Sequence, residues 1–245
     1  MRLIRSFLTI FCFFIFGFGG LIIGTIVFPV IMLFCREKKQ KQLFTKIIHL
    51  SWKLFVGIMS GFHLIKVSVK NKDAFCNLKG CVVIANHPTL IDVVILISLI
   101  PNAVCVVKGA LAHNFCIKNI IQKAYLVNDD NVENFLHKAE NFIAEGFNVI
   151  IFPEGTRTNF QTKQNNIYKG FAHIAIRTKA AILPVLITCT PLILGKGQKW
   201  YDIGKIRAHY EIMPLPLIIP QKIPVLSEHK QTQELKAAVQ DKLFK

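Results

Sequence analysis

The stretch from Phe7 to Cys35 carries no charged residue, and it limits the folds open to this chain more than any other feature. About 20 apolar residues suffice to span the hydrocarbon core of a bilayer, so this stretch is long enough to cross with tilt. Arg2 and Arg5 precede it, and Arg36, Lys38, Lys39 and Lys41 come after it. A cleavable leader has a shorter apolar region and a small-x-small site at its end, and neither is present. The stretch therefore reads as an uncleaved membrane anchor. Pro29 lies inside it and can kink or split a helix, so a spanning helix and a re-entrant pair of half-helices both stay open. Gly20 and Gly24 form a small-xxx-small pair, a pattern too common in apolar helices to carry weight. The heavier basic cluster on the C-terminal side places the remainder of the chain in the cytoplasm, attached to the inner (cytoplasmic) membrane.

The chain of 245 residues has room for one sizeable domain behind such an anchor. It divides into three regions: a spanning or re-entrant anchor over 1–42, an amphipathic interfacial helix over 43–66, and an α/β domain over 67–245. In the second, Leu43, Ile47, Leu50, Leu54, Ile58 and Phe62 recur near helical spacing, which suits either the bilayer surface or the domain. In the third, strand candidates are 81–86, 103–107, 147–152 and 182–187, with a less regular one at 206–213. Continuous apolar runs of this kind suit strands covered on both faces. Helical patterns lie between or after them at 89–99, 131–145, 170–179 and 227–244. The alternation predicts an α/β fold with a largely parallel central sheet flanked by helices.

Thirty Lys+Arg against 14 Asp+Glu give a formal charge of +16, which favours anionic partners. Beside an apolar anchor, those partners are anionic membrane lipids rather than nucleic acid, for which no binding motif is present. The seven cysteines show no Cys-x-x-Cys pair, and several sit in apolar runs; they read as reduced thiols of a cytoplasm-facing domain. The scattered histidines form no His-Glu-x-x-His pattern, so no metal is expected.

Two motifs carry chemistry. Asn86-His87-Pro88-Thr89-Leu90-Ile91-Asp92 sits where an apolar strand gives way to a helical run. A histidine can take a proton at cellular pH, and a carboxylate beside it fixes the ring tautomer and stabilises the imidazolium. Pro88 suits a first helical position, which would put His87 at the cap and Asp92 about one turn inside. Asn86 would sit in the turn and bond free backbone groups. No serine or cysteine nucleophile accompanies the pair, so the chemistry suggested is direct deprotonation of a substrate hydroxyl. The second motif, Phe152-Pro153-Glu154-Gly155-Thr156-Arg157, closes another apolar strand. Gly155 lets the backbone approach a ligand, and Arg157 offers a forked donor that matches phosphate oxygens. Thr156 adds a hydroxyl. Glu154 would hold Arg157 in place or bind a substrate hydroxyl.

Together, Asn-His-x-x-x-x-Asp and Phe-Pro-Glu-Gly-Thr-Arg resemble the glycerolipid acyltransferase family typified by 1-acylglycerol-3-phosphate O-acyltransferase. Lys169-Gly170 and Leu183-Pro184-Val185 extend the resemblance, which covers roughly residues 65–215. It implies transfer of a fatty acyl group from an acyl-CoA or acyl-carrier-protein thioester to a hydroxyl of a lysophospholipid. His87 is then the general base and Asp92 its orienting carboxylate, while Glu154, Gly155, Thr156 and Arg157 bind the acceptor. No cofactor is implied beyond the thioester co-substrate, and acyl-carrier protein becomes a candidate partner.

One departure stands out. Many members carry an arginine between the motifs that helps bind the acceptor phosphate, whereas this chain has Asn128-Asp129-Asp130 there. Acidic residues repel a phosphate, unless they point away or pair with a base such as Lys123, and Lys108 could compensate. His87-Pro88-Thr89-Leu90-Ile91-Asp92 together with Val127-Asn128-Asp129 also resembles acyltransferases of aryl polyene lipid biosynthesis, whose acceptor need not be lysophosphatidate. A non-catalytic basic membrane protein would need neither the histidine nor its carboxylate. A serine hydrolase would need a Gly-x-Ser-x-Gly elbow, which the chain lacks.

Overall fold

An apolar run such as Val82–Ala85 can be a strand only if both of its faces are covered, and the computed structural model supplies that cover. It describes residues 2–113, 118–128, 131–160, 167–220 and 227–244. In chain order the elements are α1 (Arg2–Ile22), a π-helical turn (Ile23–Val27), α2 (Phe28–Phe34), α3 (Glu37–Gly61), β1 (Ile65–Val69), α4 (Asp73–Cys76), β2 (Val82–Ala85), α5 (Asp92–Leu99), β3 (Ala103–Lys108), a 3-10 turn (Gly109–His113), α6 (Lys118–Ala124), β4 (Leu126–Asn128), α7 (Val132–Ala144), β5 (Asn148–Ile151), α8 (Gly170–Thr178), β6 (Ile182–Thr190), β7 (Ala208–Pro214) and α9 (Glu228–Phe244). The strands form one sheet in the order β1-β7-β6-β2-β5-β3-β4. Among the described residues, every pair of these strands is parallel except β6 with β7. The expected α/β fold with a largely parallel sheet is what the chain adopts.

The core divides at the sheet. On one face, residues of α3, α5 and α6 such as Phe55, Ile95 and Ile121 pack with Val83, Cys105 and Ile150. On the other, α7, α8 and α9 bring Phe135, Phe171 and Val239 onto Val82, Ile84 and Val149. All five expected strands are present, within a few residues at their ends. Two strands were not anticipated. β1 and the three-residue β4 are the outermost strands, and their half-exposed sequences lack a continuous apolar run. The expected boundary at 66/67 falls inside β1. Helix α5 begins at Asp92, not at Pro88, because Thr89 and Leu90 are held by a side chain and a loop carbonyl instead of by helical bonds. Helix α6 was also missed, since its described apolar residues cover only two turns.

The N-terminal apolar stretch is one continuous rod over Arg2–Phe34. Pro29 does not break it. The wider π turn just before the proline, closed by the Phe28 N–H on the Ile23 carbonyl, absorbs the missing amide and the bulk of the ring. At Cys35 and Arg36 the chain reverses into α3, and the two helices pack as an antiparallel hairpin through Phe16 on Trp52, Phe13 on Phe55 and Phe28 on Phe44. The rod also lies against the domain along its length. Arg5 donates to the carbonyls of His63, Leu64, Gly204 and Ile206, Arg2 pairs with Asp202, and Phe13 meets Trp200. Farther on, a β-carbon placed on Gly24 would lie 3.2 Å from Ile120 and one on Gly20 would lie 3.6 Å from it. The glycine pair that looked incidental is where α6 seats. The outer face of the rod is apolar and exposed: Phe14 is 69% exposed, Phe18 58%, Leu33 80% and Phe34 82%.

Candidate active site

Strands β2 and β5 are parallel neighbours, with Ile84 opposite Ile151. The residues beyond their ends therefore leave the same edge of the sheet, where clefts form in open α/β folds. This register brings the two sequence motifs together.

Asn86 sets the exit from β2. Its carboxamide donates to the Ile187 carbonyl at 2.8 Å and accepts from the Ile187 N–H at 2.7 Å. A carboxamide carries the same donor and acceptor as a peptide unit, so it acts as one more rung between β2 and β6. The main chain is thereby released to turn, and it carries His87 out of the sheet. The His87 N–H donates to Glu154 Oε1 at 3.0 Å and to Thr158 Oγ1 at 3.2 Å, while its carbonyl accepts from the Thr158 N–H at 2.7 Å. His87 is thus held through its backbone and its ring is left for other work. That ring packs on Phe152, with centroids 4.3 Å apart.

The His87 and Asp92 side chains face each other, with Nδ1 2.8 Å from Oδ2. Asp92 is completely buried. A buried carboxylate is tolerated only when hydrogen-bonded, and three donors surround this one: His87 Nδ1–H, the Thr89 N–H at 2.6 Å and the Thr89 hydroxyl at 2.5 Å. Asp92 is also the first residue of α5, where the helix dipole favours a negative charge. Desolvation still pushes its carboxyl above the ordinary range, against the bonds from His87 and Thr89. With Nδ1 committed to Asp92, Nε2 is the ring nitrogen that can take up a proton. The expected helix cap at Pro88 is replaced by this arrangement: Thr89 folds back onto Asp92, and the Leu90 N–H bonds the Leu194 carbonyl.

The second motif is placed differently from the simplest reading of its residues. Glu154 neither holds Arg157 nor faces outward. It is buried, its Oε1 accepts from His87 N–H and from the Thr158 hydroxyl at 2.7 Å, and burial raises its carboxyl above the usual range. Arg157 is instead held by two loop carbonyls, with Nη1 donating to Leu194 at 3.0 Å and Gly195 at 2.9 Å. Gly155 has φ +63°, and a β-carbon there would lie 2.8 Å from the Tyr168 ring. Thr156 is exposed beside it. Lys108 is exposed at the carboxyl end of β3, opposite Asn128 of β4 and at the same sheet edge as the motifs. Asp129 and Asp130 lie outside the described residues.

Sequence reasoning missed Thr89, Thr158, Tyr210 and the Leu194–Gly195 carbonyls. Thr89 was inside the motif but passed for a spacer. Thr158 directly follows Arg157, and its signal was adjacency alone. Nothing in the sequence marks Tyr210, a fully buried residue of β7 whose hydroxyl donates to Thr89 Oγ1 at 3.1 Å.

Comparison with known proteins gives three findings. The family model described as Acyltransferase matches residues 66–188. The chain is 22% identical over 230 residues to a 1-acyl-sn-glycerol-3-phosphate acyltransferase of Cocos nucifera, an alignment covering 89% of this chain and 68% of that protein. Its fold is similar to the crystal structure of the 1-acyl-sn-glycerophosphate (LPA) acyltransferase PlsC of Thermotoga maritima, with TM-score 0.75, 21% identity, and coverage of 99% and 96% of the two chains.

Proposed function

The chain belongs to the acyltransferase family, and from that premise we propose that it transfers a fatty acyl group from an acyl-CoA or acyl-carrier-protein thioester to the hydroxyl of a lysophospholipid, by default 1-acylglycerol-3-phosphate. The observation that carries the reading is the 2.8 Å His87–Asp92 pair beside the Glu154–Arg157 turn of the neighbouring strand. The coconut and Thermotoga relatives are both named for the same acceptor.

In the reaction, His87 Nε2 takes the proton of the acceptor hydroxyl as its oxygen attacks the thioester carbonyl carbon. Asp92 stabilises the imidazolium. The tetrahedral intermediate collapses, the C–S bond breaks, and His87 returns its proton to the departing thiolate. Products are an ester and a free thiol, with no acyl-enzyme. Glu154 and Thr158 serve by fixing the His87 backbone, and Arg157, preset by Leu194 and Gly195, binds the acceptor phosphate. Gly155 and Thr156 border that site, and Lys108 supplies a further cation at the same sheet edge.

The substrates are lipids, and the apolar rod gives the enzyme access to them. By length and composition the rod and α3 could each cross a bilayer. The rod's inner face, however, is tied to the domain from Arg2 to Gly24 and packed on α3 as far as Phe28, whereas its outer face is exposed and apolar. A rod of about 50 Å held this way suits lying in one leaflet of the inner membrane, with the site at its cytoplasmic surface. Anionic lipids would complement the +16 charge.

The test is acyl transfer from labelled acyl-CoA to lysophosphatidate by the full chain in vesicles. His87→Ala should lower kcat by about 10²–10⁴-fold, the usual value of positioned proton transfer, and leave vesicle binding and Tm unchanged. A near-normal rate would remove the general-base assignment. Activity with another lysolipid and none with lysophosphatidate would redirect the acceptor while keeping the mechanism. A purely lipid-binding protein would transfer no acyl group at all, and the buried, ionisable Asp92 has no purpose in such a protein.

A further inference from the structure

Asp92 accepts from Thr89, and Thr89 accepts from Tyr210, a residue 121 positions farther along the chain. We propose that Thr89 and Tyr210 are positioning residues that set the charge distribution on Asp92, and through it the basicity of His87. The inference rests on the general-base reading of His87.

The reason lies in the supply of donors. A threonine hydroxyl has a single proton and can place it in any of three staggered directions. Tyr210 is fully buried, and its phenol donates into Thr89 Oγ1. With its lone-pair side occupied, Thr89 has its own proton left to give, and the 2.5 Å contact to Asp92 Oδ1 receives it. The Thr89 N–H bonds Oδ2, the oxygen that also meets His87. Both carboxylate oxygens are thereby held in the plane that presents Oδ2 to the imidazole. Chains of hydrogen bonds polarise one another in a low dielectric, so the phenol is felt at His87 without touching it.

The fold makes a specific arrangement to bring Tyr210 here. β7 is the strand that turns back antiparallel to β6, in a register that places Tyr210 opposite Cys189. That reversal delivers Tyr210 to the carboxyl end of β2. The other titratable groups near Asp92 are His87 after β2, Glu154 after β5 and Cys189 on β6. Burial raises both the Cys189 thiol and the Tyr210 phenol, so each stays protonated; the thiol is a second hydrogen-bond partner of the phenol and gives its own proton to the Pro191 carbonyl at 3.4 Å, while the phenol donates to Thr89.

Removing a donor from Asp92 leaves more of its negative charge for His87, which stabilises the imidazolium. Neutral His87 is the active form, so the acid limb of the kcat–pH profile moves to higher pH. A residue that only fills the core would lower activity or stability without moving that limb.

The experiment compares the wild-type enzyme with Tyr210→Phe, Thr89→Val, Thr89→Ser and His87→Ala, in vesicles with labelled acyl-CoA and lysophosphatidate. Thr89→Val should lower kcat by about 10–100-fold, because Asp92 loses the hydroxyl that holds its carboxylate in the plane presenting Oδ2 to the imidazole, and leave KM unchanged. Its acid limb should move to higher pH. Tyr210→Phe should lower kcat by about three- to tenfold with a smaller shift of the same sign. Thr89→Ser, which keeps the hydroxyl, should restore most of the rate and the wild-type profile. If His87→Ala stays active, the general-base reading itself fails. If His87→Ala is inactive while Thr89→Val and Tyr210→Phe keep the wild-type limb, only the relay fails. Should Tyr210→Phe not fold, the contrast between Thr89→Val and Thr89→Ser decides: a shifted limb in valine alone supports the relay, and equal profiles overturn it.

Discussion

Replacing Asn86 with alanine tests whether its carboxamide acts as a rung of the sheet. In the folded chain that group closes both the N–H and the C=O of Ile187, at 2.7 and 2.8 Å, in a setting only 8% exposed. Alanine supplies neither partner and the site is closed to bulk water. Each orphaned group costs about 1–3 kcal/mol, so the pair implies a loss near 3 kcal/mol after some relaxation. For a chain of this size about 2–4 °C of Tm accompanies each kcal/mol, which puts the expected fall at roughly 6–12 °C. Asn86→Asp should be no better, because it sets a second acceptor against the Ile187 carbonyl. Since His87 is the next residue, kcat should fall along with Tm. Thermal unfolding of the purified chain, combined with its acyl-transfer rate, reads both. A Tm within 2 °C of wild type would refute the reasoning, because two orphaned peptide groups in a closed site cannot be that cheap.

Glu154→Gln removes a buried charge but keeps an acceptor for His87 N–H and the Thr158 hydroxyl. Burial raises the Glu154 carboxyl, so the folded chain holds this proton more tightly than the unfolded one. Its contribution to stability is present below the ordinary carboxylate pKa and is lost as pH rises through the raised value. The Tm of Glu154→Gln relative to wild type should therefore improve from pH 4 to pH 8, roughly the range above the ordinary pKa; a flat or falling difference counts against a raised carboxyl. Arg157→Ala should raise KM for lysophosphatidate by about tenfold, the loss of a charge-assisted phosphate bond, and an unchanged KM argues against phosphate recognition. Serine at Phe14, Phe18 and Leu33 together should release the chain from phospholipid vesicles in co-sedimentation without lowering Tm, because those side chains point away from the domain. Retained binding would mean that the outer face of the rod does not hold the membrane.

Much of the site was legible in its residues. His87, Asp92 and the Phe152–Arg157 run stand at the ends of apolar strands, and their spacing is a local property that needs no fold to be seen. The partners of the polar groups were not legible. Glu154 looked suited to pair with Arg157, three residues away, yet it bonds the backbone of His87, 67 positions away. Arg157 turned instead to carbonyls of a loop after β6. Gly20 and Gly24 looked like noise until α6 was seen packed on them.

What the order of residues determines here is periodic or contiguous: the apolar rod, the buried strands, the amphipathic helices and the two motifs. Apolar burial is non-directional, so a run of the right period is enough to specify it. Hydrogen bonds are directional and must be matched atom by atom once water is excluded. Which atom meets which depends on β6 and β5 flanking β2 and on β7 turning back beside β6. Those neighbours come from distant parts of the chain, and so the pairings of Asn86 with Ile187 and of Tyr210 with Thr89 exist only in the folded molecule.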